Sequence, residues 1–359
     1  LRNRLFQEFE NVADRINLCL GSEVWNVESS KTVYVYSAHD REMPQKVFHG
    51  KKLIIAPGAI ERAVPFEGWT TPGVFTVGGL NALVKRRVVP GSRILIAGSG
   101  PLPLVLIKNL VQAKVKISAM VVPTSIKAMV QNVIPILSYA GRHRIKQGLA
   151  AILRVKNNHI PVFNSHVIQK VTGRHHAFNV TISQIGPDWK PTAGREREIS
   201  ADAIAVGYGL TPSIELTQTA GCEHRYDETL GYWRVVRNNR LETTVPGIFV
   251  AGDGVQVKGY EAAVNEGKSA GIEAAYQLGK VDQKDANRWL GSLAKKLKKM
   301  DAFGKILDRL STPKPGVLER VPDHTFICRC EEVTLGEIRK AVKDGAAGIN
   351  DIKRRTRLG

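Results

Sequence analysis

The stretch Thr243-Thr-Val-Pro-Gly-Ile-Phe-Val-Ala-Gly-Asp253 most constrains what this chain can fold into. A Thr-Thr-x-Pro-Gly turn feeds a short apolar run, Ile248 to Ala251, which stops at Gly252-Asp253, and a helical pattern begins near Tyr260. Strand, glycine, acid and helix in that order build a ligand crevice beyond the carboxyl end of a strand in an open α/β sheet. Gly252 has no Cβ, so a ligand can approach the backbone closely. A carboxylate at Asp253 can accept charge-assisted hydrogen bonds from ligand hydroxyls, each worth about 1.5–3 kcal/mol. Gly-Asp alone reads more readily as a turn after a buried strand; the whole string shifts the reading toward the ligand.

Other runs repeat the strand-then-glycine form. Lys51-Lys-Leu-Ile-Ile-Ala-Pro-Gly-Ala59 is an apolar strand ending at Gly58, and Ala201 to Pro212 has the same shape. Between them, Arg93-Ile-Leu-Ile-Ala-Gly-Ser-Gly100 leads into a helical pattern from Leu102 to Ala113. This is the start of a Rossmann βαβ unit: Gly98 permits the tight turn, Gly100 lets a phosphate approach, and the helix offers free N–H groups to an anion. Pro103 stands where a third glycine is usual, and the next strand ends in Val122-Pro123 with neither a ribose-binding acid nor an arginine for a 2′-phosphate. The fold is retained, and NAD(P) is put in doubt; another nucleotide or nothing are the alternatives. Ser125 to Arg154 reads as helical, with Ile126, Val130, Val133, Ile134 and Leu137 on one face, and strands follow at 160–164, 167–172 and 178–185.

Toward the C-terminus, Phe326-Ile-Cys-Arg-Cys-Glu-Glu-Val-Thr-Leu-Gly-Glu337 places Cys328 and Cys330 just ahead of a helix. Thr334 and Glu337 form a capping box for it, worth about 1 kcal/mol. Two thiols spaced Cys-x-Cys can face one soft metal centre, zinc or iron–sulfur.

The Thr243–Asp253 string resembles the second flavin motif of the two-dinucleotide-fold flavoproteins, the pyridine nucleotide-disulfide reductases and their relatives. The resemblance implies FAD, with Asp253 on its ribityl chain, Gly252 beside it, the Tyr260–Leu278 helix aimed at the flavin, and Gly58 near the pyrophosphate and isoalloxazine. The run from Phe326 through Asp351-Ile-Lys-Arg-Arg-Thr-Arg-Leu-Gly359 resembles the [2Fe-2S] domain of bacterioferritin-associated ferredoxin (BFD) type. That resemblance implies Cys328 and Cys330 as two of four cluster ligands, the other two being missing from this sequence. Together the two parts resemble the larger, electron-handling subunit of hydrogen cyanide synthase, opine oxidase and proline or hydroxyproline dehydrogenase complexes. A fragment truncated at both ends is expected.

The expected fold is α/β, with two Rossmann-like three-layer domains and a small helical C-terminal domain. Residues 1–80 and 213–281 form the flavin domain without its N-terminal ADP-binding part, and 81–212 an inserted NAD(P)-binding-like domain. Residues 282–323 form a basic helix and linker, and 324–359 an incomplete BFD-like domain. The resemblance implies electron relay from oxidation of an amino-acid or opine C–N bond, with a partner flavoprotein subunit in a hetero-oligomer. An NAD(P)H-dependent flavoprotein reductase and a non-catalytic nucleotide-fold scaffold are the alternatives, and no catalytic acid or base stands out. The cysteines at 19, 222, 328 and 330 include no Cys-x-x-Cys pair, which argues against disulfide reduction, and they suit a reducing, cytoplasmic compartment, the membrane periphery included. The net charge of +19 lacks aromatic interleaving, so solvated basic faces or an acidic partner explain it better than nucleic acid. No uncharged run is long enough for a transmembrane segment.

Overall fold

The structure is a computed structural model describing residues 2–38, 40, 43–132, 136, 138–139, 141–174 and 176–359. After a helix over Arg2–Glu10, strands β1 (Ser22–Val27), β2 (Thr32–Ser37) and β3 (Gln45–His49) form an antiparallel meander. Strand β4 (Leu53–Ile55) runs parallel to residues 248–250, and β5 (Ala59–Glu61) leaves that layer to pair antiparallel with residues 210–212. The apolar run read from Lys51 is therefore a parallel strand with Ile55 buried and Ile54 exposed, and its Ala-Pro-Gly end turns the chain out.

A second unit begins at β6 (Val74–Thr76), whose last residue caps the Val77–Lys85 helix through its hydroxyl. Strand β7 (Arg93–Ser99), the Leu102–Gln112 helix, β8 (Lys116–Val122) and β9 (Val162–Asn164) continue it in parallel. Ile94, Leu95, Ile96 and Ala97 are all 0% exposed, as an unbroken apolar run in a parallel strand covered on both faces should be. One cover is helical: Leu80, Val84, Leu106, Ile107 and Leu110 pack on Ile94 and Ile96. The other is an antiparallel sheet of β10 (His166–Arg174), β11 (Ala177–Ile185) and β12 (Pro191–Ala201), which sets Val171, Phe178, Val180 and Ile182 against Leu95, Ala97 and Val121. Strand β13 (Ala203–Tyr208) slots between β6 and β7, giving the order β6-β13-β7-β8-β9.

Strand β14 (Leu210–Pro212) carries the chain back along β5. A hairpin, β15 (His224–Asp227) with β16 (Tyr232–Val235), leads to β17 (Ile248–Val250) beside β4. Helices over Tyr260–Gln277 and Gln283–Ser311 follow, then short helices over Leu335–Lys343 and Ile349–Thr356.

Several details differ from the sequence reading. The boundary drawn at residue 81 falls inside the Val77–Lys85 helix, because β6 hydrogen-bonds to β13 and the unit starts before it. The strand read at 160–164 is shorter, Val162–Asn164, and pairs in the parallel sheet. Among the described residues the stretch read as helical from 125 to 154 carries helices over Ile126–Gln131 and Gly141–Asn157; Ile126 and Val130 are exposed, and Val133, Ile134 and Leu137 lie outside the described residues.

Asp202, at the entry to β13, clamps that strand to β7. Its Oδ2 accepts from the Ser92 hydroxyl and from the Ser92 and Arg93 N–H groups, and its Oδ1 from the Arg93 guanidinium at 2.9 and 3.1 Å. Ser92 first, then Arg93, holds the carboxyl down to about 2. A depressed carboxyl contributes stability above its unfolded pKa and loses it as pH falls through the folded one. Asp202→Asn is expected to lower the melting temperature at neutral pH and to flatten the loss of stability between about pH 4 and pH 2. Melts over a pH series would read both, and an acid limb of unchanged slope would contradict this role.

Candidate flavin crevice and cysteine pair

Parallel pairing of β4 with β17 brings the two glycine-ended strands side by side. Ala251 N–H donates to Ile55 O at 3.1 Å, so both chains turn out of the sheet at one level. The turns then touch: a Cβ on Gly254 would meet Pro57 Cδ at 2.8 Å and Gly58 O at 3.7 Å. Gly252 (φ 76°) and Gly58 (φ 79°) occupy the left-handed region that favours glycine. A Cβ on Gly58 would point into open space, as would one on Gly259 (φ 85°), where the loop enters the Tyr260–Gln277 helix.

Asp253 has more local work than the sequence suggested. Its Oδ1 accepts from the Lys258 and Gly259 N–H groups at 3.0 and 3.3 Å and so ties the loop to the helix start, which leaves Oδ2 for a ligand. No side chain caps the helix; Ala262 and Ala263 N–H return to Gly259 O, while Tyr260 and Glu261 N–H have no acceptor among the described residues. An open, glycine-lined edge with a carboxylate oxygen and helix N–H groups facing it fits a hydroxylated, anionic chain such as that of FAD. Gly58, Gly252 and Asp253 would border it.

Beneath this edge lies a charge network that the sequence reading missed. Glu266 is 2% exposed. Arg237 grips both its oxygens at 2.8 and 2.9 Å, Lys258 Nζ donates to it at 3.2 Å, and Gly252 N–H at 2.9 Å. Arg237 also donates to Val250 O at 2.6 Å, and Lys258 reaches Asp301 at 2.7 Å. Burial pushes the Glu266 carboxyl up, but Arg237, Lys258 and the Gly252 N–H outweigh it and hold the group below its ordinary value. The signal in sequence was acid on an alanine face: Ala262, Glu266, Ala270 and Glu273 follow helical spacing, and all four are buried.

Gly98 and Gly100 stand apart from this edge, at the end of β7. A Cβ on Gly98 (φ 147°) would lie 1.9 Å from Gly207 O, so glycine is required there for the close approach of β13. Gly100 (φ 80°) faces Ser311, 3.8 Å from where its Cβ would be.

In the C-terminal domain the Thr334–Glu337 capping box forms as read, with Thr334 N–H donating to Glu337 at 2.7 Å and Glu337 N–H to Thr334 Oγ1 at 3.3 Å. Just ahead of it Ile327 and Cys328 N–H donate to Val333 O at 2.8 and 3.2 Å, and in that turn Cys328 Sγ lies 2.9 Å from Cys330 Sγ; Cys328 is buried and Cys330 exposed. The Cys330 thiol, then the Gly359 and Glu331 N–H groups, bring Cys328 down to about 7, and the same pairing raises Cys330. Two converging soft donors fit one side of an iron–sulfur cluster, and among the described residues no group of three or more His, Cys, Asp or Glu gathers as a metal site. The domain docks on the segment just ahead of β6, where Trp69 Nε1 donates to Phe326 O at 2.6 Å and Arg329 lies over the Trp69 ring at 5.4 Å.

Residues 2–270 match the family model described as pyridine nucleotide-disulphide oxidoreductase, and residues 326–359 match that of the BFD-like [2Fe-2S] binding domain. The chain is 30% identical over 357 residues to hydrogen cyanide synthase subunit HcnB of Pseudomonas aeruginosa, covering 99% of this chain and 75% of that protein. It is 30% identical over 356 residues to an opine oxidase subunit from Rhizobium meliloti, covering 97% and 73%. Among solved structures, L-proline dehydrogenase from P. horikoshii superposes with a TM-score of 0.63 at 19% identity, over 98% of this chain and 58% of that one. Thioredoxin reductase from T. acidophilum superposes with a TM-score of 0.54 at 17% identity, over 78% and 81%.

Proposed function

The chain belongs to the pyridine nucleotide-disulphide oxidoreductase family, and from that premise we propose that it is the electron-handling subunit of a complex oxidising an amino-acid or opine C–N bond, relaying electrons through flavin and a [2Fe-2S] cluster to an acceptor. It is an FAD-dependent oxidoreductase with a [2Fe-2S]-binding-type domain. The observation that carries the proposal is the coexistence in one chain of the glycine-lined edge formed by Gly58 and Gly252–Gly254 with the converging thiols of Cys328 and Cys330. The relatives support the substrate class by what they are named for, hydrogen cyanide synthase and opine oxidase, both as subunits.

Bound FAD supplies two-electron and one-electron chemistry, and an iron–sulfur cluster one-electron transfer. The chain's own residues place and tune. Asp253 fixes the loop ahead of the Tyr260–Gln277 helix with one carboxylate oxygen and offers the other to a ligand hydroxyl, while Glu266 holds Gly252 from below. Among the described residues no cysteine lies at this edge: Cys222 is buried beside Thr243, 3.4 Å from its hydroxyl. A thiol–disulfide exchange role therefore has no support. Among the described residues no helix is long and apolar enough to cross a membrane.

The holoprotein, purified anaerobically with its natural partners, is expected to show flavin absorption. It should also give a [2Fe-2S] paramagnetic signal after dithionite, and flavin bleaching by at least one member of a panel of amino acids and opines. A colourless protein would refute the relay, and a coloured one bleached only by other donors would refute the substrate class.

A further inference from the structure

We infer that the last turn of the Gln283–Ser311 helix is a resident stopper in the nucleotide crevice of the inserted sheet, and that this protein binds neither NADH nor NADPH there. In a doubly wound sheet a dinucleotide lies across the carboxyl ends of neighbouring parallel strands, its pyrophosphate at the glycine turn and the N-terminus of the following helix. Here those places are the ends of β7 and β8, the Gly98-Ser99-Gly100 turn and the start of the Leu102–Gln112 helix.

Helix atoms already stand at both strand ends and at the turn. Ser99, the last residue of β7 and 4% exposed, donates its hydroxyl to Ser311 O at 2.7 Å. Thr124, just past β8, donates its hydroxyl to Leu310 O at 2.9 Å. Ser311 Cβ stands 3.8 Å from the position of a Gly100 Cβ, within van der Waals contact of the turn that a phosphate would need. The two strand ends are thus spent on carbonyls at the end of the helix, which have no partners within it.

Charge points the same way. The C-terminal end of a helix carries about half a negative charge, so a pyrophosphate would meet repulsion where the fold normally presents a helix N-terminus. Nor does the chain offer the groups that hold the rest of a dinucleotide, since Val122 is followed by Pro123 and Thr124 and not by a ribose-binding acid or an arginine.

The stopper is braced from both sides. On the flavin side Asp301 pairs with Lys258 at 2.7 Å and Asp308 accepts from Gln256 at 3.1 Å, and from the inserted unit Arg144 lies over the Phe303 ring at 4.7 Å. One helix therefore reaches both Lys258, in the loop after Gly252, and the turn at Gly100. Opening the crevice would cost the Asp301 and Asp308 contacts as well as the two hydroxyl bonds.

The test is a calorimetric titration of the anaerobic holoprotein with NADH, NADPH and ADP-ribose, with flavin absorbance followed in parallel and amide hydrogen exchange read over residues 305–312. The expected result is no saturable heat up to about 1 mM nucleotide and no nucleotide-dependent bleaching. In a Ser99→Ala/Thr124→Val double variant, exchange at 305–312 should rise several-fold while Ile94–Ala97 stays protected. Thr124→Val alone serves if the double variant does not fold. Saturable binding of any of the three nucleotides to the unmodified protein would overturn the inference, and so would unchanged exchange at 305–312 in a folded variant. Absence of flavin would sink the relay proposal and leave this one standing; nucleotide binding would do the reverse.

Discussion

Cys328→Ser is expected to abolish the [2Fe-2S] paramagnetic signal of the reduced protein while leaving the flavin bands in place. The serine keeps the side chain's size but replaces a soft sulfur donor with a hard oxygen, and iron–sulfur clusters are held by thiolates. The position is built for a ligand: Cys328 is 7% exposed, and Gly359 N–H points at its sulfur from 3.4 Å. Its segment is pinned on both sides, by the Phe326 carbonyl on Trp69 and by the Phe326–Thr334 bridge. Iron per flavin should fall to near zero, and electrons should reach the flavin but not leave it toward the acceptor. Cys222→Ser, in the flavin-side core and far along the chain from the pair, should keep the full signal. A Cys328→Ser protein that retains iron and signal would show that the pair is an ordinary packed thiol turn.

The parts of the fold that were legible are those where the local pattern and the buried environment agree. Ile94 to Ala97 reads as a strand because nothing polar interrupts it, and it is buried on both faces. Thr334 and Glu337 read as a helix start because the box is a local hydrogen-bond pair needing no tertiary information. Strand β12 was illegible for the opposite reason. Pro191-Thr-Ala-Gly-Arg-Glu-Arg-Glu-Ile-Ser-Ala201 is charged and largely exposed, an edge strand placed by its pairing with β11 and by the few apolar residues it turns to the core. The site divides in the same way. Gly58, Gly252 and Asp253 announce themselves by glycine at a strand end, whereas Arg237, Lys258 and Asp301 are ordinary surface letters until three separated segments meet around Glu266. Equally, Ser311 fell without distinction in the basic helix and linker read over 282–323, and only tertiary placement shows what it covers.

That hidden network carries the largest expected effect on stability. Glu266→Ala should destabilise the protein by about 3–5 kcal/mol and release FAD, because it leaves Arg237 buried without a counter-charge and Gly252 N–H without an acceptor. Denaturant melts and flavin retained on gel filtration would measure the two losses. The pH dependence follows from sign: the folded Glu266 carboxyl lies below its unfolded value. Its contribution is therefore complete above the unfolded pKa, about 4.3, and disappears as pH falls through the folded one. Glu266→Gln should accordingly lose stability at pH 7 and show a shallower further loss below about pH 4 than the parent. A compensated pair, Arg237→Met with Glu266→Leu, removes both buried charges and should recover most of the folding stability. It cannot restore the acceptor that fixes Gly252, so flavin retention should stay low. Single variants within about 1 kcal/mol of the parent would mean that the network only fills space. A compensated pair that regained FAD in full would mean that packing alone, without the grip on Gly252, keeps the crevice in shape.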